Sequence, residues 1–190
     1  MNIGLFFGSF NPIHTGHLII ANHILNSNKV DKIWFVVSPQ NPFKGVNELL
    51  DAESRLELAR RATLKDGRIK VSKIELKLPR PSFTINTLSH LAQKNSEHEF
   101  SIIMGSDAYN RISEWKNSEE ITKQYKILVY GRPNFSIENI MNKKTEILDA
   151  PLLDISSTEI RKLIKANQSI RYLVPEAVRK LIEKNHFYKK

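Results

Sequence analysis

The 190-residue chain contains no cysteine. Disulfides and thiolate chemistry are thereby excluded, and the usage fits a cytoplasmic setting. No apolar run approaches the roughly 20 residues that span a bilayer. The first residues carry neither a basic n-region nor a small-residue cleavage site, so neither a membrane partner nor a signal peptide is expected. Internal repeats, low-complexity tracts and linkers are also missing. Residues 1–190 are therefore expected to form one domain, with a helical C-terminal portion from about 157 to 190. Lysine and arginine (29) outnumber aspartate and glutamate (20), a net charge of +9, and such a balance attracts anions. The basic residues are scattered, however, and no interleaving of aromatic and basic side chains marks a single-strand-binding surface. Nucleic acid is not the expected partner; nucleotide phosphates suit the same charge.

What is present is an alternation of extended and helical patterns. Strands are predicted at Ile3–Phe7, Lys32–Ser38, Lys70–Leu76, Glu99–Met104 and Lys126–Tyr130, with a further extended stretch near Glu146–Ile155. Helices are predicted at Gly16–Asn26, Ala52–Leu64, Thr84–Lys94, Ser118–Lys123, Ser157–Ala166 and Pro175–Lys184. Runs such as Ile33-Trp34-Phe35-Val36-Val37 are apolar throughout, as in parallel strands buried on both faces. The helical segments show three-to-four spacing instead. The fold class expected is α/β: a Rossmann-like, doubly wound, mainly parallel sheet with helices on both faces. Ligands of such sheets bind at the carboxyl ends of the strands, where strand order reverses. Four loops reach that edge: the one opening at Gly8, Ser38 to Lys44, Gly105 to Asp107, and Gly131 to Pro133.

The first of these loops reads Gly8-Ser9-Phe10-Asn11-Pro12-Ile13-His14-Thr15-Gly16-His17. Small residues at its start let backbone N–H groups approach a phosphate, and the following helix start adds unpaired donors and partial positive charge. His14 and His17 are three apart, which places them on one helical face. Metal binding is the weaker alternative for them, since no third ligand accompanies the pair.

A second constellation is Ile155-Ser156-Ser157-Thr158-Glu159-Ile160-Arg161. Ser156 with Glu159 three residues on reads as a capping box. The same helix start could bind phosphate through Ser157, Thr158 and backbone N–H groups, with Arg161 as a planar cationic clamp. Asp107, after the strand ending near Gly105, could accept ribose hydroxyls or simply cap a helix. Trp115 could stack on a flat ring or pack partly into the core. Lys44 and Arg132 add cations on the same edge.

Taken together, these segments resemble the nucleotidyltransferase superfamily with its G-x-F-x-P-x-H-x-G-H and I-S-S-T-x-x-R signatures, here Gly8 to His17 and Ile155 to Arg161. Within it the chain most resembles the bacterial nicotinate mononucleotide adenylyltransferases. Pro81-Ser82-Phe83-Thr84-Ile85-Asn86-Thr87-Leu88, Gly105-Ser106-Asp107 with Trp115, and Tyr172-Leu173-Val174-Pro175 carry that likeness over nearly the whole length. The resemblance implies transfer of AMP from ATP to nicotinate mononucleotide, with direct attack on the α-phosphorus, yielding deamido-NAD and pyrophosphate. It implies catalytic roles for His14, His17, Lys44 and Arg161. It implies an ATP site of Gly8, Ser9, Phe10, His14, His17, Gly105, Asp107, Arg132, Ile155, Ser156, Ser157 and Arg161. The acceptor would meet Asn11, Lys44, Thr84 and Trp115. Mg²⁺ would ride on the ATP phosphates with few protein ligands.

Two departures stand out. The family's Gly-Thr-Phe-Asp is Gly8-Ser9-Phe10-Asn11 here, and its Pro-Pro-His-Lys loop is Asn41-Pro42-Phe43-Lys44, without the imidazole. Phosphopantetheine adenylyltransferases and cytidylyltransferases share both signatures and are the sibling alternatives. A non-catalytic nucleotide-binding protein and a nucleic-acid-binding protein are the alternatives from other classes. Homo-oligomerisation is left open.

Overall fold

A computed structural model describes residues 1–39, 49–137, 139–140 and 142–189. Its sheet is built from β1 (Asn2–Gly8), β2 (Lys32–Val37), β3 (Ile69–Ser72), β4 (Glu99–Gly105), β5 (Lys126–Tyr130) and β6 (Thr145–Leu148). Every pairing is parallel and the order is β3-β2-β1-β4-β5-β6. Helices α1 (Thr15–Asn26), α2 (Ala52–Thr63), α3 (Ile74–Lys77), α4 (Thr84–Lys94), α5 (Ser106–Tyr109), α6 (Ser118–Gln124), α7 (Ser157–Lys165) and α8 (Glu176–Lys184) fill the connections. The doubly wound α/β reading is thus met.

Alternation along each strand sends side chains to two separate cores. Phe6, Ile33, Phe35 and Val37 pack with α1, α2, α7 and α8. Leu5, Trp34, Val36, Ile102 and Val129 pack with α4 and Ile121 of α6 on the other face. Burial on both faces explains why β2 is apolar without interruption after Lys32. After β1 the chain builds outward to β2 and β3, then crosses to β4 on the other flank of β1. Strand order therefore reverses between β1 and β4, which opens a crevice at their carboxyl ends.

The predicted strand Lys70–Leu76 is corrected: β3 stops at Ser72, and Ile74–Lys77 is helical. Ser72 turns the chain by accepting the Ile74 N–H on its hydroxyl at 3.3 Å. The turn inserts Glu75 beneath α4, where Thr87 Oγ1 and Ser82 Oγ donate to its carboxylate at 3.0 and 3.3 Å. The extended stretch expected near Glu146–Ile155 is a strand only over Thr145–Leu148.

Candidate active site

The loop after β1 is held by packing. Phe10 adopts φ 44°, a left-handed backbone that a bulky residue rarely takes. Its buried ring meets Phe35 and His17 edge-on, with centroids 5.1 and 5.0 Å away. A Cβ at Gly8 would come within 2.9 Å of that ring, so glycine is needed for Phe10 to fold back over β1. The Asn11–Pro12 peptide is cis. At Gly16, a Cβ would collide with Ile155 and lie 3.1 Å from His14 Nδ1. The second glycine of the motif therefore lets the two signatures touch.

His14 and His17 stack with ring centroids 3.7 Å apart and planes inclined by 28°. The three-residue spacing does place both imidazoles together. His17 Nδ1 accepts the His14 backbone N–H at 3.2 Å. In the neutral ring the proton is thereby left on Nε2. Burial pushes the pKa of His14 down to about 3, helped by the positive charge of Arg132. A neutral His14 avoids placing two positive rings face to face.

The second signature opens α7 (Ser157–Lys165). Ser156 is the cap, accepting the Glu159 N–H at 3.2 Å. Ser157 Oγ donates to the Pro12 carbonyl at 2.8 Å, and Arg161 Nη1 donates to the Asn11 carbonyl at 3.0 Å. Both motifs thus form one hydrogen-bonded unit although about 145 residues separate them. The Ser157 proton is committed to Pro12. What the start of α7 offers a ligand is the backbone N–H groups of Ser157 and Thr158, which no helix can satisfy internally.

Beyond β4, buried Ser106 accepts the Arg132 N–H on its hydroxyl at 2.9 Å. A Cβ on Gly105 would lie 2.5 Å from Asp107 Oδ1 and 2.9 Å from Arg132 Cγ. An acid and a cation thus lean over one glycine. Thr84 opens α4, and half-buried Trp115 lines the same pocket. Lys116 Nζ stands 4.5 Å over the Phe83 ring.

These parts enclose one cavity of about 1140 Å³. Gly8, Ser9, Phe10, Asn11, His14, His17, Thr84, Gly105, Asp107, Trp115, Arg132, Ser156, Ser157 and Arg161 all line it. Ile155 does not; it borders a much smaller hollow behind the histidines and packs against Gly16. Lys44, with Phe43, lies outside the described residues. Asn11 is buried with its Oδ1 accepting the Leu50 N–H at 3.1 Å, so part of its polar capacity faces the protein. Sequence reasoning missed Glu75 and Lys116, which also line the cavity. A carboxylate interrupting an apolar segment was the available signal for Glu75. Among the described residues no group of three or more histidines and carboxylates could hold a metal ion.

Sheet, switch point and paired signatures define a nucleotidyltransferase, and the Cytidylyltransferase-like family model matches residues 5–163. A Flavobacterium psychrophilum protein described as "Probable nicotinate-nucleotide adenylyltransferase" is 48% identical, covering 100% of both chains. One of the same description from Cytophaga hutchinsonii is 44% identical over 99% of this chain and 98% of its own. The chain belongs to the nicotinate-nucleotide adenylyltransferase family. The fold is shared with Plasmodium falciparum nicotinic acid mononucleotide adenylyltransferase, solved with NaAD. That match has a TM-score of 0.83 at 22% identity, covering 98% of this chain and 97% of that one.

Proposed function

We propose that this protein transfers AMP from ATP to nicotinate mononucleotide, forming deamido-NAD and pyrophosphate for NAD biosynthesis. The observation that carries the reading is the direct bonding of the two signatures, Ser157 to Pro12 and Arg161 to Asn11, around the stacked histidines. The histidines, Ser157 and Arg161 line the same cavity as Trp115 and Thr84. Its volume exceeds the usual 300–1,000 Å³ of a single-ligand pocket, which suits two nucleotides side by side.

In this mechanism an oxygen of the acceptor phosphate attacks the α-phosphorus of ATP. The bond from that phosphorus to the bridging oxygen breaks, and pyrophosphate leaves with the electron pair. No protein nucleophile is required, so the chain's work is positioning and charge stabilisation. His17 donates from Nε2 to the α-phosphate oxygens, where negative charge concentrates. Neutral His14 supports it from behind. The α7 N-terminus, Arg161 and Arg132 receive the β- and γ-phosphates. Gly105 and Asp107 border the adenosine; Asn11, Thr84 and Trp115 seat the acceptor, with Trp115 stacked on its pyridine ring. By the family likeness, Lys44 would supply a further cation to the acceptor phosphate or the reacting α-phosphate. Mg²⁺ would be held chiefly by the ATP phosphates, keeping its waters and taking substrate oxygens, since among the described residues no cluster of carboxylates could cage it. When bound, it neutralises phosphate charge.

The test is an acceptor panel. Pyrophosphate release from ATP should be fastest with nicotinate mononucleotide and much slower with the amide form or phosphopantetheine. Faster release with phosphopantetheine would overturn the acceptor.

A further inference from the structure

Arg55, in the first turn of α2 (Ala52–Thr63), is the largest of the fully buried side chains, with 0% of its surface exposed. Four of its hydrogen bonds go to main-chain carbonyls. Nε donates to Leu50 at 2.7 Å, Nη1 to Ser9 at 2.5 Å and to Ser38 at 2.8 Å, and Nη2 to Pro39 at 3.0 Å. Among the described residues no carboxylate is hydrogen-bonded to it; burial lowers its pKa from the ordinary arginine value, while Tyr188 and Asp51 favour its charge only at longer range. Taking a cation out of water is costly, and an apolar side chain of similar volume would fill the space more cheaply. Packing alone therefore does not account for an arginine here.

The acceptors do account for it. Ser9 belongs to the loop after β1; Ser38 and Pro39 follow β2; Leu50 leads into α2. One planar fork fixes three segments that lie apart in sequence. The same segments are cross-linked again by Ser38 N–H to the Gly8 carbonyl at 2.9 Å and Leu50 N–H to Asn11 Oδ1 at 3.1 Å. In a trans peptide the C=O and the next N–H point in opposite directions. Directing the Ser9 carbonyl at the guanidinium therefore turns the Phe10 N–H away from it. Phe10 itself borders the cavity and holds the loop's left-handed backbone.

We propose that Arg55 is a positioning residue for adenylyl transfer, holding the Ser9 carbonyl inward so that the Gly8–Asn11 backbone presents its N–H donors to the nucleotide phosphates. It touches no substrate and acts through the loop. This rests on the proposed ATP site but not on the identity of the acceptor.

The experiment compares Arg55→Lys, Arg55→Met and Arg55→Ala with the full-length wild type. Lysine keeps the charge but cannot reproduce the fork. In folded R55K, judged by circular dichroism and a thermal midpoint above the assay temperature, kcat/KM for ATP should fall about 10²-fold, the scale of a displacement near 1 Å. In R55A, guanidinium at sub-denaturing concentration should restore part of the lost activity, whereas potassium at equal ionic strength should not. ATP affinity by calorimetry should weaken in parallel, a readout that survives if the acceptor assignment fails. A wild type inactive with every acceptor would sink the proposed reaction and leave the affinity comparison standing. Two results would overturn the role of Arg55: folded R55K or R55M with wild-type ATP affinity and turnover, or activity lost only in proportion to folded protein, with no guanidinium rescue.

Discussion

The two signature histidines do different jobs because their surroundings differ. His17 is half-buried with Nδ1 occupied by a backbone N–H, so Nε2 is its donor. Replacing it with alanine should lower turnover by about 10²–10³-fold, the usual loss for one preorganised donor to a reacting group. Pyrophosphate release measured beside an unchanged circular dichroism spectrum checks this, and retained turnover would remove His17 from the chemistry. His14 is instead held neutral, its pKa lowered from 6.5 to about 3 chiefly by burial. Between those values the unfolded chain binds a proton that the folded chain refuses. The stability tied to His14 is complete above pH 6.5 and is lost as pH falls toward 3. Urea midpoints should therefore drop from pH 7 to pH 4 in the wild type and drop less steeply in His14→Asn. Parallel slopes would count against burial of His14 as the cause.

At the scale of elements, the sequence was readable wherever one local rule decided the outcome. The apolar run Ile33 to Val37 became β2 because both its faces are covered, and Ser156 became a cap as the spacing to Glu159 predicts. The reading failed where distant residues decide. Ile74 to Leu76 looks like strand, but Ser72, Ser82 and Thr87 together pull Glu75 under α4. Arg55 reads as the polar face of an amphipathic helix, because its four carbonyl partners share no pattern along the chain. Likewise, nothing in the second signature announced that Ser157 bonds Pro12. The paired serines of α7 separate these local and distant roles. Ser156→Ala removes a cap and should cost about 0.5–2 kcal/mol of stability, read as a lower urea midpoint. Ser157→Ala breaks the tie between the signatures and should lower kcat/KM for ATP with a loss of stability of similar size, about 1 kcal/mol. An unchanged kcat/KM would reduce that tie to packing.

For the molecule as a whole, the cavity lies where the two windings of the sheet meet. One wall comes from the loops after β1, β4 and β5, and the other from α7, which packs through Ile160 and Ile164 on the core shared with α1 and α2. A ligand bridging these walls joins segments from both ends of the chain, and it can do so only in the folded state. Binding exclusive to the folded state adds about 2.7 kcal/mol at a ligand concentration near 100 times Kd. For a chain of this length each kcal/mol shifts the thermal midpoint by about 2–4 °C. ATP alone, without acceptor, should therefore raise the midpoint by about 5–10 °C under those conditions. Because the tie between the walls is partly the Ser157–Pro12 bond, the rise at the same ATP concentration should be smaller in Ser157→Ala. Differential scanning fluorimetry of both proteins over an ATP titration measures this. An identical rise in the two would mean that the walls are held together without that bond, and no rise in either would mean that ATP does not bridge them.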